Sequence, residues 1–142
     1  MDFQSFDSDA NSVLVVDDEF LLRLDIAECL QQAGYIVTEA GSADEAIRYV
    51  NSGRHFDAIV TDVEMPGAMN GFGLAWAVKL SHPSVGLVIV SGRKRPIEAD
   101  IPRAARFIAK PCSEAVLLRE LSRAIEEVKA NGFEPAPRLL AL

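Results

Sequence analysis

Five short runs rich in apolar residues recur along the chain. They lie at 13–16, 35–39, 57–61, 86–90 and 106–109. Their lengths, and the turn residues between them, are typical of β-strands. The cores of the first, third and fourth runs are apolar, as expected for strands that are covered on both faces of a sheet. The pattern therefore predicts five strands with a buried centre.

Segments with helical spacing separate these runs. Helices are predicted over 19–33, 43–52, 72–81 and 114–130, with a weak helical stretch near 97–101. The capping box Ser42-x-x-Glu45 opens the second helix. Because proline opposes helix interiors, Pro96 and Pro102 predict that the weak stretch is short or irregular.

One face of the first helix carries the side chains that are predicted to contact the sheet. These residues recur at the spacing of a helix face: Leu22, Ile26, Cys29 and Leu30. Cys112 is the other cysteine of the chain. Two cysteines do not form a disulfide framework, so both are predicted to be buried, unreactive thiols.

The alternation of strands and helices predicts an α/β fold. Right-handed crossovers between parallel strands place helices on both faces of one sheet. The best match is a flavodoxin-like, doubly wound, five-stranded parallel sheet of order 2-1-3-4-5. In that order the third strand lies beside the first, so the residues that follow these two strands meet at one edge.

Composition and charge limit the kinds of molecule that this chain is expected to bind. The 142 residues suit one domain, and a net charge of −7 argues against nucleic acid as a partner. No apolar run approaches the length of about 20 residues that spans a bilayer. The polar, acidic start is unlike an export signal, so we expect a cytoplasmic protein without a membrane segment.

The domain organisation expected from the sequence is simple. We expect a flexible N-terminal segment at 1–11, a folded domain at 12–130 and a tail at 131–142. The tail contains Pro135 and Pro137 and is too short for an output domain.

Four of the predicted strands end in residues that bind cations, phosphates or phosphoryl groups. These residues are Asp17 and Asp18, Asp62, Ser91, and Lys110. In an open parallel sheet, ligands bind beyond the carboxyl ends of the strands, so these side chains are candidates for one shared site. The three aspartates and the lysine sum to −3 + 1 = −2, which a divalent cation would balance. Oxygen ligands without histidine or cysteine favour Mg²⁺ over zinc.

The chemistry of phosphoryl transfer assigns a role to each group. Asp62, at the end of a central strand, is a candidate nucleophile that would form an aspartyl phosphate. Mg²⁺ held by the aspartates would neutralise one phosphoryl oxygen, and the hydroxyl of Ser91 and the ammonium of Lys110 would contact the other two.

The chain resembles the receiver domain of bacterial two-component response regulators, of the single-domain, chemotaxis-regulator-like kind. The matching segments are Val15-Val16-Asp17-Asp18-Glu19, Thr61-Asp62-Val63-Glu64-Met65-Pro66-Gly67 with Gly71 beyond, Val90-Ser91-Gly92, and Phe107-Ile108-Ala109-Lys110-Pro111. The four segments occur in order, each at the end of a predicted strand. The resemblance covers residues 12–130.

This resemblance implies a function and further roles. Asp62 would accept a phosphoryl group from a sensor histidine kinase or a histidine phosphotransfer protein, and the switch would signal to an unknown downstream protein. The backbone carbonyl of Glu64 would join Asp17, Asp18 and Asp62 around Mg²⁺. Ser91 and Phe107 would form the switch. Catalysis would be limited to self-phosphorylation and autodephosphorylation, so no other enzyme activity is expected.

Two features depart from the family pattern. The interval from Ser91 to Lys110 is 110 − 91 = 19 residues, shorter than in many receivers. A short helix within it puts in doubt the usual homodimer face, although a homodimer stays an alternative. Glu64 and Arg93 would flank the phosphoryl pocket, and we hypothesise that they pair as a gate against water; two solvated side chains are the alternative.

Two other functions remain as alternatives. A Mg²⁺-dependent phosphatase with an aspartyl-phosphate intermediate, as in haloacid-dehalogenase-like enzymes, would use an aspartate two residues after the nucleophile, where this chain has Glu64. A flavin or nucleotide binder of the same fold would need a glycine-rich phosphate loop, and Gly71-Phe72-Gly73 is a weak match.

Overall fold

The computed structural model describes residues 10–92 and 100–131 and contains one five-stranded parallel sheet. The strands are β1 (Ser12–Val16), β2 (Ile36–Ala40), β3 (Ala58–Asp62), β4 (Gly86–Ser91) and β5 (Arg106–Ala109). Their order is β2-β1-β3-β4-β5, and every neighbouring pair is parallel. The predicted fold class and strand order are confirmed.

Four helices lie in the described part of the chain. They are α1 (Phe20–Gln32), α2 (Ala43–Asn51), α3 (Gly71–Ser81) and α4 (Glu114–Asn131). All four correspond to predicted helices. Most of the weak stretch near 97–101 lies outside the described residues, as do Arg93, Pro96, residues 1–9 and the tail from residue 132. None of the helices described is long and apolar enough to cross a bilayer.

The helices cover the sheet in two pairs, and each pair encloses its own apolar core. On one face, α2 and α3 pack against side chains such as Leu14 and Ile59. On the other face, α1 and α4 pack against the alternate strand positions, such as Val13 and Val60. The residues of β3 and β4 are buried throughout, which explains their continuous apolar sequences.

Side chains at the helix starts set where two helices begin. Ser42 accepts a hydrogen bond from the backbone N–H of Glu45 (3.1 Å), and the Glu45 carboxylate accepts from the N–H of Gly41 (2.7 Å). This arrangement is the predicted capping box, with the returning bond one residue earlier than usual. Asn70 caps α3 by accepting from the N–H of Gly73 (3.0 Å), a cap that the sequence analysis missed.

A close backbone contact fixes the start of α3 against the end of β3. The N–H of Gly71 donates to the carbonyl oxygen of Val63 (2.9 Å). A Cβ atom at position 71 would overlap the carbonyl oxygen of Asp62 and would lie 2.8 Å from the Cα of Val63. The glycine therefore lets the loop after β3 return close to the strand from which it started.

Two predictions of burial were wrong. Leu22 is 42% exposed and lies in the first turn of α1, which begins at Phe20 after β1 has ended at Val16. The burial of α1 comes from Ala27, Cys29 and Leu30 in its second half. Cys112 is exposed, because it lies in the loop after β5, before α4 begins.

Candidate functional site

Three aspartates converge at the carboxyl edge of the sheet. Asp17 follows β1, Asp18 comes next, and Asp62 is the last residue of β3, the neighbour of β1. One carboxylate oxygen from each lies within 4.8 Å of the others. Asp17 and Asp62 are 1% and 8% exposed, whereas Asp18 is exposed. The strand order thus brings together the three acids that the sequence placed at strand ends.

The carboxylate of Asp17 is held by one oxygen and leaves the other without a partner. Oδ1 accepts a hydrogen bond from the backbone N–H of Glu19 (2.9 Å). Oδ2 is buried and has no hydrogen-bond partner among residues 10–92 and 100–131. A buried carboxylate oxygen is costly unless it is bonded. A hard cation that is bound by oxygens, such as Mg²⁺, fits this donor set.

Lys110 provides the positive charge of the site. Its Nζ lies 3.3 Å from Oδ1 of Asp62. Burial raises the pKa of the Asp62 carboxyl group, the attraction of Lys110 lowers it, and the negative charge of Asp17 raises it again. The net shift is upward, so the surroundings disfavour the ionised form of this carboxyl group. A bound divalent cation would favour ionisation.

The backbone of β4 and β5 positions Lys110 and Ser91. The N–H of Lys110 donates to the carbonyl oxygen of Ser91 (2.8 Å), and the peptide bond between Lys110 and Pro111 is cis. Ser91 is 2% exposed and ends β4, one residue after the register partner of Asp62, Val90. The serine therefore lies at the same edge of the sheet as the acidic cluster.

Phe107 and Glu64 are the other predicted site residues in the described part of the chain. Phe107, in β5, is partly buried and packs against the core under α2 and α3. Glu64 is partly buried and lines an open cavity of about 740 Å³ beside the loop after β3. Its Oε2 atom is buried and, within the described part of the chain, has no hydrogen-bond partner. The Glu64–Arg93 gate is untested, because Arg93 lies outside that part.

The sequence analysis missed Arg23. Its Nη1 donates to the carbonyl oxygen of Asp17 (2.8 Å), and its Nε donates to the Glu39 carboxylate (2.9 Å). The signal available in the sequence was a basic residue close behind two acids, in the first turns of a helix. That signal is weak, because it does not show that Glu39 in β2 is within reach.

Comparison with known proteins agrees with this geometry. The family model of the response regulator receiver domain matches residues 13–122. The chain is 32% identical over 130 residues to the DNA-binding transcriptional regulator NtrC of Bradyrhizobium sp. (strain RP501 Parasponia), covering 89% of this chain and 27% of that protein. It is 33% identical over 120 residues to the transcriptional regulatory protein PdtaR of Mycobacterium tuberculosis, covering 82% and 58%. It thus spans less than two thirds of both relatives.

A solved structure supports the same assignment. The crystal structure of a response regulator receiver protein from Sinorhizobium medicae WSM419 superposes with a TM-score of 0.79 at 28% sequence identity, and the match covers 85% of this chain and 98% of that one. Receiver domains bind Mg²⁺ at an acidic pocket, and the carboxylates of Asp17, Asp18 and Asp62 form a cluster that could hold a metal ion. The chain therefore belongs to the receiver-domain family of two-component response regulators.

Proposed function

We propose that this chain is a phosphorylation switch in which Asp62 is the phosphoacceptor. The observation that carries the proposal is the position of Asp62, which belongs to the acidic cluster and lies 3.3 Å from the ammonium of Lys110. A carboxylate oxygen of Asp62 would attack the phosphorus of the donor. The bond from phosphorus to the donor nitrogen, or to the oxygen of a small phosphodonor, would break as the new P–O bond forms.

Each neighbour has a charge to stabilise in this reaction. Mg²⁺, when bound by Asp17, Asp18, Asp62 and the carbonyl of Glu64, would neutralise charge on the phosphoryl oxygens. Lys110 already faces the carboxylate that would carry the phosphoryl group, so its ammonium would pair with another oxygen. Ser91 is buried at the end of the neighbouring strand, and its hydroxyl would donate a hydrogen bond to the third phosphoryl oxygen.

The switch itself would use Ser91 and Phe107. The two residues lie on neighbouring strands, and Ala109, two residues after Phe107, is the register partner of Ser91. We propose that the serine hydroxyl moves toward the phosphoryl group and that the aromatic ring of Phe107 turns inward behind it. A sensor histidine kinase or a histidine phosphotransfer protein would supply the phosphoryl group, and a protein partner would read the changed surface. The single-domain organisation stays a prediction.

The test is phosphorylation of the full chain by acetyl phosphate with Mg²⁺, read by intact mass. The expected result is one phosphoryl group per wild-type chain and none on Asp62→Asn, because only the carboxylate at 62 can be the acceptor. Asp57→Asn is the matched control, since Asp57 lies beside the opposite end of β3 and should leave the label intact. Chelation of Mg²⁺ with EDTA should abolish labelling.

Two outcomes would contradict the proposal. A phosphoryl label that persists on Asp62→Asn would show that another residue is the acceptor. Release of many equivalents of phosphate from unrelated phosphomonoesters, with turnover lost in Asp62→Asn, would favour the phosphatase alternative over a switch.

A further inference from the structure

Arg23 connects three elements beside the acidic cluster. It lies in α1, donates from Nη1 to the carbonyl oxygen of Asp17 and donates from Nε to Glu39 in β2. Its guanidinium lies 5.5 Å from the ring centroid of Phe20, and its side chain is 17% exposed. Because its two donor arms are engaged by fixed partners, the guanidinium has a single defined position.

The contacts of Arg23 complete the set of bonds that holds Asp17. The N–H of Asp17 donates to the carbonyl oxygen of Ala40 (3.1 Å), and its Oδ1 accepts from the N–H of Glu19 (2.9 Å). Nη1 of Arg23 donates a hydrogen bond to the Asp17 carbonyl oxygen (2.8 Å). With these three groups bonded, Oδ2 is the oxygen of Asp17 that is left for a ligand.

The carbonyl of Asp17 also controls the next residue. The peptide unit is planar, so fixing this carbonyl fixes the orientation of the bond that leads to Asp18. Asp18 is exposed, and this peptide unit fixes the point from which its side chain extends. One guanidinium contact thus bears on two of the three acids in the cluster.

We propose that Arg23, supported by Glu39, is a positioning residue that sets the affinity of the acidic cluster for a divalent cation. The inference rests on the proposed function, because it takes the cluster to be a Mg²⁺ site. Groups that orient metal ligands without touching the metal typically change metal affinity about 10–100-fold when they are removed.

Charge and geometry predict opposite effects of removing Arg23, and this makes the proposal testable. Arg23→Ala removes a positive charge from the neighbourhood of three carboxylates, so a purely electrostatic role would tighten Mg²⁺ binding. A positioning role would weaken binding, because Asp17 and Asp18 would lose their fixed orientation. Arg23→Lys keeps the charge but loses the two-armed geometry, so positioning alone predicts weaker binding for this variant.

The experiment is an NMR titration of the full chain with MgCl₂ alone, in which the amide signals report both the fold and the Kd. We expect the Kd to rise about 10-fold in Arg23→Ala and by a smaller factor in Arg23→Lys. Arg54→Ala is the matched control. Arg54 also bonds a β2 side chain, Thr38 (2.7 Å), and lies against aromatic rings, but it does not contact the cluster. The Kd of Arg54→Ala for Mg²⁺ should equal that of the wild type.

A second readout separates positioning from a general loss of structure. Labelling of Arg23→Ala by acetyl phosphate should recover toward the wild-type rate when Mg²⁺ is raised in proportion to its Kd. If Arg23→Ala does not fold, Arg23→Lys carries the test by the same two measurements.

Each outcome decides between the proposals. An unchanged or lower Kd in Arg23→Ala, or a wild-type Kd in Arg23→Lys, overturns the role of Arg23 and leaves the proposed function intact. If the wild type does not bind Mg²⁺, or Asp17→Asn binds it equally well, the metal site of the proposed function fails and this inference fails with it.

Discussion

At Asp62, the surroundings act on the carboxylate in opposite directions. Burial and the charge of Asp17 disfavour ionisation, whereas Lys110 favours it, and the pKa is raised overall. A folded-state pKa above the unfolded value means that the ionised group lowers the stability of the native state at neutral pH. That cost decreases as the pH falls below the folded pKa and is gone below the unfolded pKa, where the carboxyl group is protonated in both states. A cation bound beside Asp62 would offset this cost.

The first prediction concerns this cost. In the absence of Mg²⁺, Asp62→Asn should raise the free energy of unfolding by about 1 kcal/mol at neutral pH, because a neutral amide replaces a buried charge. Urea unfolding in EDTA measures the change. The increase in the free energy of unfolding should be smaller at acidic pH, where the wild-type carboxyl group is protonated. A lower stability of Asp62→Asn at neutral pH would show that the ion pair with Lys110 outweighs burial.

At the scale of elements, the order of strands and helices follows from the sequence, but the contacts between elements do not. Apolar periodicity predicted the five strands and four of the helices, because side chains that face a core must recur at the period of their element. The exposed Leu22 shows the limit of this rule. The position fits the apolar spacing of α1, yet the side chain is exposed in the first turn of the helix. The bond from Arg23 to Glu39 could not be predicted either, because local periodicity does not report which residues of different elements come within reach of each other.

The second prediction tests the contact between β3 and α3. Gly71→Ala should lower the free energy of unfolding by about 1–3 kcal/mol, because the added Cβ overlaps the backbone of Asp62 and Val63. The displaced strand end should also slow labelling of Asp62 by acetyl phosphate. Thermal unfolding and intact mass measure the two effects.

The matched control for this variant lies in the same helical turn. In Gly73→Ala the new Cβ would meet Cγ of the Met69 side chain (2.9 Å) rather than backbone atoms. Alanine also favours a helix more than glycine does, so this variant should lose less stability than Gly71→Ala. Equal effects of Gly71→Ala and Gly73→Ala would contradict the close-contact explanation.

At the scale of the whole molecule, ion pairs link the last strand of the sheet, β5, to the last helix, α4. Arg106 in β5 donates to Glu120 (2.7 Å) and Glu127 (3.2 Å) of α4. Arg119 and Arg123 also contact the Glu120 carboxylate. These charges are paired within one chain, so a second copy is not needed to neutralise them. The homodimer stays an alternative.

The third prediction concerns the acid stability that this network provides. The hydrogen bond from Arg106 lowers the pKa of Glu120 against the opposing effect of burial. A depressed folded pKa gives stability that is present above the unfolded pKa and is lost as the pH falls through the folded value. Glu120→Gln should therefore cost about 1 kcal/mol at neutral pH and little in strong acid, as measured by urea unfolding across pH. A constant difference at every pH would contradict this explanation.

The sequence by itself determined the fold class, the strand order and the place of the candidate site. These features follow from local periodicity and from the rule that parallel strands bring their carboxyl ends to one edge, where Asp17 and Asp62 stand. Only the tertiary structure decided that Asp17 keeps one buried oxygen without a partner among the residues described, that the pKa of Asp62 is raised, and that Arg23 reaches the Asp17 carbonyl. Such properties depend on distances and burial between elements that are far apart in the chain, and local patterns do not encode them.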